Sequence, residues 1–277
     1  MSEEFVCGAL FSKPDVRDYT AKTLCEDFPV EFELDMPKVK NQMAVGSCVA
    51  HALSTVVEYF NKQETGTYEE MSTGYIYGNR RLTLHKGSGM YTRDAVHTVV
   101  KYGDVPHAYF PANVEVPYAI EKFENEVDQI EPVGYNFKFA EYFKLNDEAA
   151  IKTSIMENGP VVCTMYWFDD IKIVNGVMHT NCVKTKKTGG HCMVIYGWNE
   201  QGWKVQNSWG SFWGDGGHVI IPYNVPFKET WGIKDATSDS TLILNKPFKT
   251  KFGAKIAKIL NYIISFVYNI FHNSEER

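Results

Sequence analysis

Asn41-Gln42-Met43-Ala44-Val45-Gly46-Ser47-Cys48-Val49-Ala50-His51-Ala52 passes from a polar, glycine-marked loop into a helix within a few residues. Val49, Leu53, Val56, Val57 and Phe60 recur at three- and four-residue spacing, and Gly66 ends the pattern after a polar tail. Gly46 suits a tight turn, Ser47 suits an N-cap, and Cys48 falls in the first helical turn. Free amide donors and the helix macrodipole favour a thiolate there. A lone cysteine is more often inert core. Its place at a helix start, after a glycine, makes Cys48 a candidate nucleophile.

Two later stretches supply what a nucleophilic thiol needs. The first is Gly189-Gly190-His191-Cys192-Met193-Val194-Ile195-Tyr196-Gly197-Trp198, and the second is Val205-Gln206-Asn207-Ser208-Trp209-Gly210, followed by Phe212-Trp213-Gly214. An imidazole at His191 can pair with the thiol and return its proton to a leaving amine. Asn207 can accept the other ring N–H and fix the tautomer. The segment from Trp198 to Trp203, with Asn199 and Gly202, reads as a hairpin turn, which brings His191 and Asn207 opposite each other to within two or three positions. Gln42, six residues before Cys48, can donate with the Cys48 N–H to an oxyanion. His51 lies one helical turn beyond Cys48, and its expected role is packing or hydrogen bonding. Cys192 alternates with His191 on a strand and belongs to the core.

Two further helices are expected, from Met71 to Leu82 and from Arg93 to Tyr102, the second closed by Gly103. A third runs from about Asp147 to Asn158, before Gly159-Pro160. Val161–Tyr166, Gly190–Trp198, Trp203–Gln206 and Gly217–Ile221 are short β-branched or aromatic runs split by glycines, and read as strands. Helices first and strands afterwards imply an α+β fold of two lobes with a cleft between them. The expected divisions are an N-terminal segment over 1–36, a helical lobe over 37–130, a β-rich lobe over 131–245 and a C-terminal helix over 246–277. In that tail Phe248, Phe252, Ile256, Ile259, Ile263, Val267 and Ile270 form a stripe flanked by Lys249, Lys251, Lys255 and Lys258. Its apolar run, Ile259–Phe271, has 13 residues against the roughly 20 a spanning helix needs. It reads as a helix docked on a partner or on its own body, with an interfacial membrane helix as the alternative.

The chain has 277 residues and a net charge of −6, from 28 basic and 34 acidic side chains, with no dense basic stripe in its body, which argues against a nucleic-acid partner. Its six cysteines (Cys7, Cys25, Cys48, Cys163, Cys182, Cys192) lack CxxC or zinc-ligand spacing, so the expectation is reduced thiols, no metal and no cofactor. Met1-Ser2-Glu3-Glu4 does not open a secretory signal, and the expected location is cytoplasmic, or virion-associated for a viral chain.

Together, Gln-x5-Cys, the histidine strand and Asn-Ser-Trp-Gly resemble the papain-like (C1) cysteine peptidases, from about Lys13 to Ile221. His191 follows Cys48 by 143 residues, inside the interval of about 130–150 typical of that family. The resemblance implies a papain-like fold, an antiparallel barrel-like second lobe and hydrolysis of peptide or protein substrates. It also implies Cys48 as nucleophile, His191 as acid/base, Asn207 as its orienter and Gln42 in the oxyanion hole. Trp209 is similar to the indole that shields the Asn–His bond. Gly87-Ser88-Gly89-Met90 is similar to the segment lining the acyl side of the substrate cleft, with Gly190 where many members carry an acidic residue before the histidine. Val45 and Val49 replace the cysteine and tryptophan of many lysosomal and plant members. Gly-Ser-Cys-Val-Ala-His-Ala and Pro-Asp-x-Arg-Asp-Tyr instead resemble bacterial, archaeal and viral branches. In place of a long helical prodomain the chain has about 36 residues, enough to lie over the cleft as a short cover. Rival readings on the same parts are an amide transferase or isopeptide hydrolase, and a silent papain-fold binding protein.

Overall fold

The computed structural model describes residues 6–16, 18–20, 27–111, 118–182 and 185–236. The chain divides into two units, Met1–Thr237 and Ser238–Arg277. The second unit, and with it the amphipathic helix expected over 246–277, lies outside the described residues. Among the described residues, no helix is long and apolar enough to cross a membrane.

In chain order the first unit contains β1 (Ala9–Leu10), β2 (Phe32–Glu33), α1 (Cys48–Thr65), α2 (Thr73–Gly78), β3 (Met90–Tyr91), α3 (Thr92–Tyr102), α4 (Tyr118–Gly134), β4 (Phe139–Lys144) and α5 (Glu148–Asn158). Then follow β5 (Val161–Phe168), β6 (Lys172–Val174), β7 (Val177–His179), β8 (Lys187–Asn199), β9 (Gly202–Gln206), β10 (His218–Ile221) and β11 (Glu229–Asp235). One sheet runs β4-β11-β5-β8-β9-β10-β7-β6 with β2 on β8, and its pairs are antiparallel except β10–β7. The α+β architecture of helices beside an antiparallel sheet is as expected.

The apolar spacing of α1 explains its position. All residues from Cys48 to Phe60 are buried, the polar His51, Ser54, Thr55 and Glu58 among them, so this part of the helix is enclosed on every side. It packs on β8 and ends at Gly66 (φ 70°), whose N–H bonds the Lys62 carbonyl. Ser47 sits at the N-cap but caps nothing; its hydroxyl lies 3.2 Å from His51 Nδ1 instead. Within this core, Lys40 Nζ meets Glu58 Oε1 at 2.5 Å, and the Glu58 carboxylate also accepts the Met71 N–H at 2.8 Å.

The helix expected over Met71–Leu82 is only Thr73–Gly78. Ser72 caps its start through the Tyr75 N–H, but Asn79 leaves the helical region and its side chain takes the Arg81 Nε at 3.0 Å. Gly78 permits close packing there, since a Cβ would stand 2.3 Å from the Ala119 carbonyl oxygen of α4. Of the remaining helices, α3 and α5 match expectation to within one residue, whereas α4, β4 and β11 were not anticipated. Asp147 caps α5 by accepting the Ala150 N–H at 2.7 Å.

Candidate active site

The start of α1 and the strand β8 bring the predicted residues together. The main-chain amides of Cys192, Gly8, Val49 and Cys48 itself all reach the Cys48 thiol, so it sits against the residue following His191. His191 Nε2 lies 2.7 Å from Asn207 Oδ1, the contact expected across the hairpin. The register is offset by two positions, since Val194 pairs with Gln206, and a bulge follows at Ile195/Gly197. Asn207 Oδ1 also accepts the Ser208 N–H at 2.7 Å, which fixes the amide so that its oxygen faces the ring. Nε2 therefore carries the proton. Nδ1, buried and without a hydrogen-bond partner among the described residues, keeps its lone pair and can act as a base.

Gln42 joins this arrangement through Ser208, whose hydroxyl donates to Gln42 Oε1 at 2.7 Å, while the Gln42 N–H bonds the Ser208 carbonyl at 2.8 Å. The side-chain amide is thereby turned so that Nε2 donates forward, to the carbonyls of Val45 and Val6 at 2.8 Å each. Ser208 links the glutamine to the histidine's orienter. In the sequence it is marked only as a member of Asn-Ser-Trp-Gly, with no role of its own assigned. His51 is buried and held by the Ser47 carbonyl at 3.0 Å, and makes no hydrogen bond to the members of this network.

Aromatic rings enclose the imidazole. Trp209 stacks on His191 at 4.3 Å and 25°, and Trp167 meets His191 edge-on at 5.3 Å and Trp209 at 4.7 Å. Trp213 completes the cluster, 5.3 Å from Trp209. The contribution of Trp167 was missed because β5 runs two residues past the apolar run that announces it.

The chain's own residues 6–12 pack against these side chains. Gly8 donates its N–H toward the Cys48 thiol and its carbonyl accepts the Met90 N–H at 2.9 Å; Val6 offers its carbonyl to Gln42. β1 pairs with β3 in parallel, Ala9 opposite Met90 and Leu10 opposite Tyr91. Glycines make room for it: a Cβ on Gly190 would stand 2.1 Å from the Ala9 oxygen, and one on Gly89 would stand 2.5 Å from the Gly8 oxygen. Further along, Arg93 grips Asp18 at 3.0 and 3.1 Å, and Phe11 packs on Tyr166. Of the residues expected to bind substrate, Gly89, Met90 and Gly190 therefore contact this segment, and Trp209 contacts His191.

Burial sets the electrostatics of this closed arrangement. It pushes the Cys48 thiol up to about 11, against the four amides that favour the thiolate. Burial lowers His191 to about 4, opposed by its bond to Asn207. With the segment in place, thiol and imidazole are both neutral at pH 7. Cys7, beside Cys48 and against Gly189, is likewise pushed up to about 12 by burial.

Comparison with known proteins bears on this geometry. A family model described as "Papain family cysteine protease" matches residues 30–240. The chain is 29% identical over 218 residues to a peptidase C1-like protein of Acanthamoeba polyphaga mimivirus, covering 71% of this chain and 70% of that one. It is 26% identical to a cysteine protease of Blomia tropicalis, covering 73% of this chain and 62% of that protein. Among solved structures, the cysteine protease xylellain from Xylella fastidiosa superposes with a TM-score of 0.73 at 21% identity, over 83% of this chain and 96% of that one. ProCathepsin B of Trypanosoma congolense gives 0.67 at 18%, over 84% and 87%. The chain belongs to the papain family of cysteine proteases.

Proposed function

We propose that this chain is a cysteine endopeptidase whose own residues 6–12 hold it latent. The observation that carries the reading is the connected set Gln42–Ser208–Asn207–His191, which orients a side-chain amide donor and a base, with the Cys48 thiol seated against Cys192, the residue after His191. Once the segment leaves, water and substrate re-enter, and the desolvation that keeps the pair neutral is relieved. His191 Nδ1 then takes the thiol proton and Cys48 attacks the peptide carbonyl. The developing oxyanion accepts from Gln42 Nε2 and the Cys48 N–H. The imidazolium protonates the departing amine, leaving a thioester that water, deprotonated by the same ring, hydrolyses. Trp209 keeps water from the His191–Asn207 bond throughout.

The direction of the segment supports inhibition rather than self-cleavage. In a substrate, residues along Met90 belong to the acyl side and precede the scissile carbonyl. Here the carbonyl at Gln42 is that of Val6, and the residue opposite Met90 is Ala9, which follows it. The segment lies in the cleft backwards. The divisions 1–36, 37–130, 131–245 and 246–277 then correspond to cover, nucleophile lobe, His/Asn lobe and a docking helix for a partner or membrane surface. No nucleic acid enters this reading.

The test is hydrolysis of a broad fluorogenic peptide mixture, under reducing conditions, by the full chain, by Gly8→Ala and by Cys48→Ala. Low turnover by the full chain, high turnover by Gly8→Ala and none by Cys48→Ala is the expected pattern. A folded Gly8→Ala chain that cleaves nothing would sink the peptidase reading.

A further inference from the structure

The bonds that hold residues 6–8 against the nucleophile belong to the main chain, so they make no demand on the side chain of residue 7. That side chain is a thiol. Gly8 points its amide at the Cys48 sulfur, and the same peptide unit joins Gly8 to Cys7, which puts the Cys7 Cα within about 6 Å of that sulfur. The two thiols feel each other directly: burial raises Cys7 most, and the charge of a Cys48 thiolate raises it further. Gly189 makes the space. A Cβ there would stand 2.7 Å from the Cys7 Cβ and 3.7 Å from its sulfur, so a larger residue would displace Cys7.

The other thiols among the described residues are placed differently. Cys163 donates to the Met193 carbonyl at 3.5 Å inside a separate apolar cluster, and Cys182 lies between β7 and β8. Cys192 flanks Cys48 from β8, but both are fully buried in the packed core, one on a strand and one on a helix. A disulfide demands sulfurs about 2 Å apart and a torsion near 90°. The partner free to adopt that geometry is the one on the segment that comes and goes.

We propose that Cys7 is a resolving thiol: after attack by a hydroperoxide it forms a disulfide with Cys48 and locks the segment over the nucleophile until a thiol reductant releases it. This rests on the reading of residues 6–12 as a cover and names a regulation of that same site. The order of events follows from burial. In the closed chain both thiols are neutral and dry, and a neutral thiol reacts poorly with peroxide. With the segment out, the Cys48 thiolate attacks one oxygen of the hydroperoxide. The O–O bond breaks, Cys48 loses two electrons and becomes a sulfenic acid, and the other oxygen leaves as an alcohol with the proton held by His191. The returning segment then brings Cys7 to the sulfenic sulfur. The S–S bond forms as the S–OH bond breaks, and the hydroxide departs with the Cys7 proton as water. Two thiols and one hydroperoxide give one disulfide, one alcohol and one water. The bridge closes a loop of about 40 residues and keeps the nucleophile from irreversible further oxidation.

The test treats the full chain and its Cys7→Ala variant with tert-butyl hydroperoxide, digests both without reduction and maps every cysteine by mass spectrometry. The parent should yield a peptide in which Cys7 is linked to Cys48, and Cys7→Ala should carry Cys48 as the sulfinic acid. Dithiothreitol should then restore iodoacetamide-reactive Cys48 in the parent to at least tenfold the level restored in Cys7→Ala, each read against its own untreated form. Cys48 linked to any other cysteine in the parent would overturn the assignment. So would sulfinic Cys48 in parent and variant alike, or equal recovery in both. These readouts need no turnover, so the hydrolysis assay above separates the two readings. A Cys7–Cys48 bridge in a chain whose folded Gly8→Ala form cleaves nothing would refute the peptidase reading alone. Cleavage by that form, with Cys48 oxidising in the parent without Cys7, would refute the lock alone.

Discussion

Gly8→Ala should switch the full-length chain on. A methyl group at residue 8 would stand 1.9 Å from the Gly46 carbonyl oxygen and 2.3 Å from its carbon, about 1.5 Å inside ordinary contact. Both sides of that clash are main chain, so no side chain can swing away, and the segment must lift. Lifting breaks the Met90–Gly8 and Gln42–Val6 bonds, each worth about 1 kcal/mol. The overpacking adds about 1–3 kcal/mol. A loss of about 3–5 kcal/mol from the closed state raises the open fraction by about 10²–10⁴ until it saturates. The Arg93–Asp18 bonds still tether the segment, so the body should keep its melting temperature to within a few degrees. The assay is the initial rate of peptide hydrolysis, with iodoacetamide labelling of Cys48 followed by mass spectrometry. A rise of tenfold or more in both is expected. Rates within twofold of the parent, in a variant that unfolds cooperatively, would refute the reasoning. So would a fall in both, which would mean that the Gly46 turn yields in place of the segment.

Three further outcomes follow from the site and its supports. Gln42→Ala in the Gly8→Ala background should lower kcat by about 10²–10³, the usual cost of one oxyanion donor, with KM little changed in steady-state kinetics. Lys40→Met should cost about 3–5 kcal/mol by stranding the buried Glu58 carboxylate, lowering the melting temperature by about 10 °C in calorimetry. His191 and His51, both lowered to about 4 by burial, should stay neutral to acid pH when followed by NMR, and His191 should titrate above its ordinary value in Gly8→Ala, where it faces the Cys48 thiolate. The sign follows from linkage. Both imidazoles titrate below the unfolded value near 6.5, so the unfolded chain binds more protons between the two values. Stability of about 3 kcal/mol per histidine is therefore present above pH 6.5 and lost as pH falls toward 4.

What was legible in the sequence was what side-chain periodicity encodes. The helix α1 declared itself by apolar residues at three- and four-residue spacing, and the β8–β9 hairpin by its glycine-split runs. Cys48 and His191 lie in these elements and Asn207 directly follows β9, so the proposed site was readable with them. β11 was not, because its inward positions include the polar Glu229 as well as Trp231 and Ile233, and that breaks the expected alternation. α4 hid behind its acidic face and Pro132, though Ala119, Phe123 and Ile130 are its buried side. The occupancy of the cleft by Val6–Ser12 was illegible in detail for a different reason. It is made of main-chain bonds and of glycines whose value is the absence of a side chain, and neither leaves a periodic trace. The notion of a short cover came from the polar, turn-rich character of the stretch before the helical lobe, together with its length.

On the proposed reading, the backward lie of residues 6–12 sets latency apart from that of a precursor awaiting removal of a piece. A chain threaded in that direction cannot be turned over by the nucleophile it covers, so each departure from the groove can be followed by its return, intact. Activity then tracks a population in dynamic balance, like a valve on a spring and unlike a seal that is broken once. Peptide in the surroundings competes for the groove directly, so its own concentration sets how often the valve stands open. Withdrawal of the substrate closes it again.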